Sequence, residues 1–369
     1  MTATSEEVFL QNPALWKRLD RLRQIFLERE KDSRGAEAYW SDSLDLLAYD
    51  LSFARRIANK WESVLERIPP ELREKIVSCE WIDWGCGSGV AAETTLKMLG
   101  VPKKISLWDH SSQAIQFSKQ KLLSMGVESV EELKNPLSDF SGKVVLLSHL
   151  VNELKDGAQV ALLEALKKAE VVIWVEAGSR ETSQRLSRSR DRLLGLDSEF
   201  EVVLPCPHRN PKCPLSKEDA QDWCHFFADV KSSFHRSAFW REFSERIGVD
   251  LRSLPFSVLV LKKGVEEPRP ETWHRVLGTT RVYKGFLKVQ SCNGREGVRE
   301  YILPKRVDKA LFKRVKNLET LALFNWELGA AKDAGKVKGG QAKIVSGNQV
   351  GSQTSDDLSD EVSDGDDTE

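Results

Sequence analysis

One stretch limits the folds open to this chain more than any other. Trp81-Ile-Asp-Trp-Gly-Cys-Gly-Ser-Gly89 runs from a short apolar segment into three glycines at alternate positions, and the helical Val90-Ala-Ala-Glu-Thr-Thr-Leu96 follows at once. Glycine spacing of this kind lets a backbone turn tightly and come close to a ligand. The helix behind it offers unpaired N–H groups, which hold a carboxylate as readily as a phosphate. Asp83 stands just before the glycines, and Asp109 closes the next apolar run. An acid there is placed to accept hydrogen bonds from ribose hydroxyls.

The flanking sequence gives the turn its context. Strands are predicted at Ile76–Asp83, Lys104–Asp109, Val130–Leu133, Lys143–Leu150 and Val171–Glu176. Helical patterns at 90–99, 111–125, 156–169 and 180–195 separate them. Such alternation predicts a parallel sheet with right-handed crossovers. Sixth and seventh strands, Phe200–Leu204 and Phe256–Leu261, bracket an insertion and a helix over 233–247. Upstream, Leu51, Ala54, Ile57, Ala58 and Trp61 recur at helical spacing, and Pro69-Pro70 is expected to end that run.

The expected organisation is a helical region over 1–70 and a Rossmann-like domain over 71–263 with a Cys-rich insertion at 205–226. A small β-module with a basic helix over 264–329 and an unfolded linker and tail over 330–369 complete it. Charge supports the last division. The formal net charge is −1, but Gln353–Glu369 hold eight acids and no base, leaving 55 basic against 48 acidic residues in the remainder. An acidic, Ser-rich segment with little apolar surface does not bury a core. It is read as a solubilising tail, or as a nucleic-acid mimic shielding a basic body. No window is apolar enough for a membrane span, and the acidic start Met1-Thr-Ala-Thr-Ser-Glu-Glu7 lacks the features of a leader. The expected setting is the cytoplasm, with no membrane partner and reduced or metal-bound cysteines.

The strands and the glycine turn together resemble the class I methyltransferases, with their Rossmann-like seven-stranded sheet. That resemblance implies S-adenosylmethionine, with Asp83, Gly85, Gly87 and Gly89 at its methionine part, Asp109 at the ribose and Asp139 near the adenine. A nicotinamide-binding domain is the alternative, but its fingerprint places the third glycine one position later.

Four cysteines stand apart from the core. Cys206 and Cys213 lie in the proline-stiffened Pro205-Cys-Pro-His-Arg-Asn-Pro-Lys-Cys-Pro214, Cys224 in Asp222-Trp-Cys-His-Phe226, and Cys292 before Asn293-Gly294. A stiff, irregular cysteine loop suits a metal better than a core. Three cysteines with His208 or His225 could take zinc, and four thiolates either zinc or an iron–sulfur cluster. Spacing does not choose between them. Cys79 and Cys86, in or beside the first strand, read as small buried side chains.

Ser148-His-Leu-Val-Asn-Glu-Leu154, Val175-Glu-Ala-Gly178 and the three cysteine motifs together resemble a small-ribosomal-subunit methyltransferase-like family. That family is known best from a mitochondrial ribosome assembly factor and its bacterial relatives. The likeness covers roughly residues 45–325. It implies a [4Fe–4S] cluster on Cys206, Cys213, Cys224 and Cys292, and the small ribosomal subunit and its RNA as partners.

Asn152 and Glu153, behind the fourth strand, are the candidate catalytic residues; they could hydrogen-bond a base amine or a ribose. His149 reads equally as a structural histidine. The Asn/Asp-Pro-Pro-aromatic motif of amino-methylating enzymes is missing from this loop, as is the cysteine needed for carbon-5 methylation of cytosine. Two basic clusters suit a phosphate backbone. One contains Arg185, Arg188 and Arg192, within a group running from Arg180 to Arg192. The other contains Lys305, Arg306, Lys309 and Lys313. Tyr283, Phe286 and Tyr301 of the β-module are read as its core, with presentation to RNA as the second reading. Three functions follow: an rRNA methyltransferase, a non-catalytic assembly factor that keeps the fold, or a zinc-stabilised methyltransferase with another substrate.

Overall fold

The computed structural model describes residues 5–31, 40–195, 198–217, 220–230, 234, 237–264, 273–294, 297–306, 309–326 and 342–345. The acidic tail lies outside the described residues.

Parallel strands β1 (Trp81–Trp84), β2 (Lys104–Trp108), β3 (Ser129–Glu132), β4 (Val144–Ser148) and β5 (Val171–Ala177) form the main sheet. β4 and β5 are almost wholly buried along their length. Their Val/Leu/Ile-rich runs follow from cover on both faces, which leaves no polar side to alternate with. β6 (Phe200–Leu204) and β8 (Pro255–Lys263) complete the order β3-β2-β1-β4-β5-β8-β6, with β8 antiparallel to both neighbours. This is the class I methyltransferase fold. A two-residue strand β7 (Phe226–Phe227) also pairs with β8, so the sheet has eight strands rather than the expected seven.

Two expectations about the N-terminal half are corrected. Ile76-Val-Ser78 is not strand; it closes helix α5 (Pro70–Ser78), and the strand starts at Trp81. Pro69-Pro70 likewise marks a boundary between helices, because Pro70 opens α5 at a position where its missing N–H has no partner to lose. Upstream lie α1 (Ser5–Leu10), α2 (Pro13–Lys31), α3 (Ser43–Asp50) and α4 (Phe53–Leu65). Between strands lie α6 (Val90–Leu99), α7 (Ser112–Ser124), α8 (Asp156–Leu166) and α9 (Arg180–Leu193), followed by α10 (Ala238–Ile247). Phe9, Leu15, Trp16 and Leu19 bury themselves against Phe239, Trp240 and Phe243, so the first helices pack on α10. α4 packs on α6 with Trp61 buried in the main core.

The C-terminal module is a five-stranded sheet, β11-β10-β9-β12-β13, built from β9 (Trp273–Val282), β10 (Phe286–Asn293), β11 (Gly297–Pro304), β12 (Leu323–Trp326) and β13 (Ala342–Val345). β13 falls inside the segment expected to be linker, where it pairs antiparallel with β12. α11 (Lys309–Lys316) turns Leu311, Phe312 and Val315 onto Leu287, Val289 and Tyr301. Tyr301 is therefore core, as read. Leu277, Cys292 and Leu321 belong to the core of the main sheet instead, so the module's base is continuous with the larger domain. Among the described residues no helix is long and apolar enough to cross a membrane.

Candidate functional site

The strand order reverses between β1 and β4, and in open α/β sheets ligands settle at the carboxyl ends of strands at such a point. The glycine turn lies there. Gly85, Gly87 and Gly89 have φ of 74°, 50° and 77°, a backbone that L side chains rarely adopt. At Gly89 a Cβ would also stand 3.0 Å from Ser118 Oγ. The turn is braced from β2: the Gly85 and Cys86 amides donate to the Trp108 carbonyl at 2.8 and 3.0 Å. The Gly87 amide donates to Asp109 Oδ2 at 2.9 Å, and Ser118 Oγ donates to the Gly87 carbonyl at 2.8 Å.

Both acids thus have local duties that sequence reasoning did not assign. Asp109 accepts from Gly87 and, through Oδ1, from the Ser111 amide at 2.9 Å. Asp83 accepts from the Ala92 amide at 3.3 Å in the first turns of α6. Burial pushes the Asp83 carboxyl up to about 7, with the Asp109 charge adding to it, while the Ala92 amide and Lys121 oppose. Burial also raises Asp109. Asp139 is not part of this group. It sits in an exposed turn with Oδ1 bound to the Ser141 amide and hydroxyl, and Ser141 bridges to Ala169 just ahead of β4 and β5. That is the opposite edge of the sheet from the glycines.

The loop after β4 reaches the same edge as the glycine turn and is held rigidly. Glu176, buried at the end of β5, accepts at Oε1 from the Leu150 and Val151 amides, both at 2.9 Å, and from Trp174 Nε1 at 2.7 Å. Burial raises its carboxyl to about 7 against those three bonds. Asn152 Nδ2 donates to Thr182 Oγ1 at 2.7 Å, tying the loop to the start of α9, and Glu153 is exposed beside it. His149 takes a positive φ of 55°. Its Nε2 lies 3.4 Å from Lys60 Nζ, and Trp61 Nε1 donates to Ser148 Oγ at 3.0 Å. Burial, with the Arg56 charge behind it, lowers the Lys60 ammonium to about 7, although Glu176 pulls the other way. Burial also depresses His149, followed by Lys60 and Arg56. Sequence reasoning missed Lys60 and Arg56 here: on an amphipathic helix, two basic residues four apart look like a solvated face.

The four cysteines converge from well-separated segments. All are free thiols. Cys206, Cys213 and Cys224 line a cavity of about 20 Å³ with Arg190 and Pro205. Burial raises the Cys224 thiol first, followed by Cys206, Cys213 and Cys292, so all four feel one another. Cys213 is pushed up to about 12, by burial and then by Cys206. Among the described residues, no three His, Cys, Asp or Glu side chains are grouped to hold a metal ion. A buried cation lies beside these thiols. Arg190 Nε donates to Cys206 Sγ at 3.2 Å, Nη2 to the Asn210 carbonyl at 2.9 Å, and Nη1 to Asp191 at 2.9 Å. Burial opposes its charge, but Cys206, Cys213 and Asp191 more than restore it. The β-module is fastened here too. Arg275, paired with Cys292 across β9 and β10, donates to the Pro205 carbonyl, and Asn210 Nδ2 donates to the Gly294 carbonyl at 2.6 Å.

The two basic clusters differ. On α9, Arg190 is buried against the cysteines, so the run of arginines is not one solvated stripe. Arg185 turns inward to the Leu154 carbonyl at 2.8 Å, while Arg188 and Arg192 join it around a surface cleft of about 170 Å³ with Asp156. Lys305, Arg306, Lys309 and Lys313 are all exposed.

No curated protein matches the chain. Among solved structures it is similar to an rRNA methylase from Streptococcus thermophilus, at 13% identity and a TM-score of 0.30, covering 56% of this chain and 94% of that one. A SAM-dependent methyltransferase from Aquifex aeolicus gives 22% and 0.24, covering 32% and 72%. The plantazolicin methyltransferase BpumL, solved with SAH, gives 14% and 0.36, covering 66% and 99%. None adds to what the strand order already says. One family model, mitochondrial small ribosomal subunit Rsm22, matches residues 48–320, a span that takes in the glycine turn and all four cysteines. The chain belongs to the mitochondrial small ribosomal subunit Rsm22 family.

Proposed function

We propose that this protein acts on the small ribosomal subunit as an S-adenosylmethionine-binding, methyltransferase-like factor that carries a [4Fe–4S] cluster. The observation that carries this reading is the extent of the family match, which unites the glycine turn and the four cysteines in one span. The turn fits the amino-acid part of the cofactor: positive-φ glycines bring backbone close, the start of α6 offers amides, and Asp83 offers a carboxylate to an ammonium. When bound, the cofactor supplies an electrophilic methyl group. The chain's own residues provide position. Asp83 and Asp109 hold the turn, Glu176 fixes the loop after β4, and Asn152 and Glu153 stand at its surface. Positioning of this sort supplies much of the rate in a displacement that needs only an in-line nucleophile.

The proposed cage is a set of thiol donors of the kind that a metal–sulfur group takes, although among the described residues no three of them are grouped as in a formed metal site. Three free thiols, those of Cys206, Cys213 and Cys224, line a small cavity with a buried guanidinium beside them to balance thiolate charge, and Cys292 is close enough to act on Cys224 electrostatically. Cys206, Cys213, Cys224 and Cys292 would hold the cluster, and its chemistry there is cross-linking: metal–thiolate bonds from residue 206 to residue 292 close a long loop and join the two sheets. A zinc ion is the alternative occupant.

One observation favours assembly over catalysis. The Asn152 amide is already engaged with Thr182, so this candidate for orienting an acceptor also serves to hold the loop. Two measurements on the anaerobically purified protein separate the readings. Methyl transfer from labelled cofactor to small subunits is expected for an enzyme. Co-sedimentation with small-subunit precursors that survives Asp83→Ala is expected for an assembly factor. Absence of both defeats the ribosomal reading altogether.

A further inference from the structure

The strand pattern reads Tyr283 as core, yet it is 44% exposed at the tip of the β9–β10 hairpin. Residues 281–285 are all exposed. The tip is nevertheless well defined. The Tyr283 amide donates to the Phe286 carbonyl at 2.8 Å across the two-residue turn Lys284-Gly285. The Tyr283 and Phe286 rings lie face to face, with centroids 4.6 Å apart and planes 14° from parallel. Stacking on its neighbour orders the tyrosine ring and presents its outer face to solvent.

The surroundings are basic. The Lys305 amide donates to the Gly285 carbonyl at 3.0 Å, and Phe286 pairs with Pro304, which sets Lys305 and Arg306 beside the ring pair. Lys284 is within the turn itself. Behind the rings, Lys288 at 2.7 Å and Arg281 at 3.1 Å share the single carboxylate of Glu300, leaving one positive charge in excess. The exposed lysines of α11 continue the basic surface.

We propose that this hairpin tip is a stacking platform for unpaired RNA bases, with Lys284, Lys305 and Arg306 taking the adjoining phosphates. The proposal rests on the small-subunit reading above and deepens it by naming unpaired RNA as what this surface takes. Flat aromatic faces beside cations are the elements by which proteins hold single strands, since every base has a face to stack. A duplex keeps those faces internal and offers only phosphates and groove edges. The local charge selects a polyanion over an apolar protein segment.

The test uses the full chain and a labelled, unstructured single-stranded RNA of about 12 nucleotides, within the site sizes usual for such modules. A blunt duplex of the same sequence is the comparison. Tyr283→Ala should weaken single-strand binding roughly tenfold, the scale of one lost base–aromatic stack. Tyr283→Phe should stay within about twofold, because it keeps the ring. Duplex binding should be unchanged by either, whereas Lys305→Glu with Arg306→Glu should weaken both forms. Thermal melting confirms that each variant is folded. Unchanged single-strand binding by Tyr283→Ala, or equal losses for single strand and duplex, overturns the platform. If that happens while the parent still binds small subunits, the platform alone fails and a protein partner for the tip becomes the better account. If the parent binds neither RNA nor subunits, the functional reading fails with it.

Discussion

The glycine turn and the proposed cysteine cage are built in opposite ways. The turn is contiguous: nine residues of one strand, one turn and one helix start carry their own geometry, and β2 braces it. The cage collects thiols from the end of β6, a proline-rich loop, the approach to β7 and the far end of β10. The turn is therefore complete once the main sheet forms, while the cage is complete only when the C-terminal module docks. The buried charges differ in the same sense. Arg190 sits among thiols and Asp191, which favour its charge, whereas Lys60 faces His149 with Arg56 nearby, which disfavours it. A site built across a junction should fail by undocking, and one built within a turn should fail by losing its ligand.

The largest effect is expected where that difference is forced. With the proposed cluster on the cysteines, Cys224→Ser should cost several kcal/mol and expose the module, since metal–thiolate binding energy is folding energy. Limited proteolysis after residue 263 and a drop in the melting temperature would register it. Melting curves that superimpose on the parent's would remove the cage from its structural role.

A smaller effect tests the burial of Lys60. Its folded pKa lies below its unfolded value, so the unfolded chain binds more protons between about 7 and 10, and stability rises with pH across that window. Lys60→Met lacks this dependence. The parent should be less stable than the variant near pH 7 by roughly a few kcal/mol and should close the gap as pH climbs to about 10. A pH-independent difference in urea midpoints would contradict the buried ammonium.

The smallest effect sharpens the turn. Asp83, raised to about 7 by burial, must lose its proton to receive a cationic ammonium. Affinity for S-adenosylmethionine should therefore increase as pH rises from about 6 to 8 and level off above that. Calorimetry should find Asp83→Asn weaker and flat over the same range. An equal slope in both proteins would place the titration elsewhere.

The same contrast explains what was legible in the sequence. Glycines 85, 87 and 89 spoke for themselves, because each needs a backbone that only local sequence dictates. The buried runs of β4 and β5 were equally plain. The start of β1 was not: Ile76-Val-Ser78 is apolar enough for a strand, and only the packing of α5 decides for helix. Arg190 looked like its neighbours on α9, since nothing local distinguishes a guanidinium that will meet Cys206 sixteen residues later. The class I resemblance places Asp139, after β3, near the adenine, whereas the turn at Ser141 carries it to the other edge of the sheet. Cys292 is legible as a ligand through family resemblance alone, because a β-strand cysteine separated from the preceding one by 67 residues has no spacing rule. The exposure of Tyr283 was hidden for a similar reason: an aromatic in a strand pattern reads as core until the hairpin tip is seen.

If the chain joins a cofactor turn to a cluster-bearing cage, as proposed, iron content tests the less legible half directly. The full chain, purified without oxygen, should be brown and carry about four iron and four labile sulfide atoms, the composition of a [4Fe–4S] cluster. Replacing Cys206, Cys213, Cys224 or Cys292 should remove the colour. A colourless, stable protein with one zinc or no metal, indifferent to those replacements, would contradict the account.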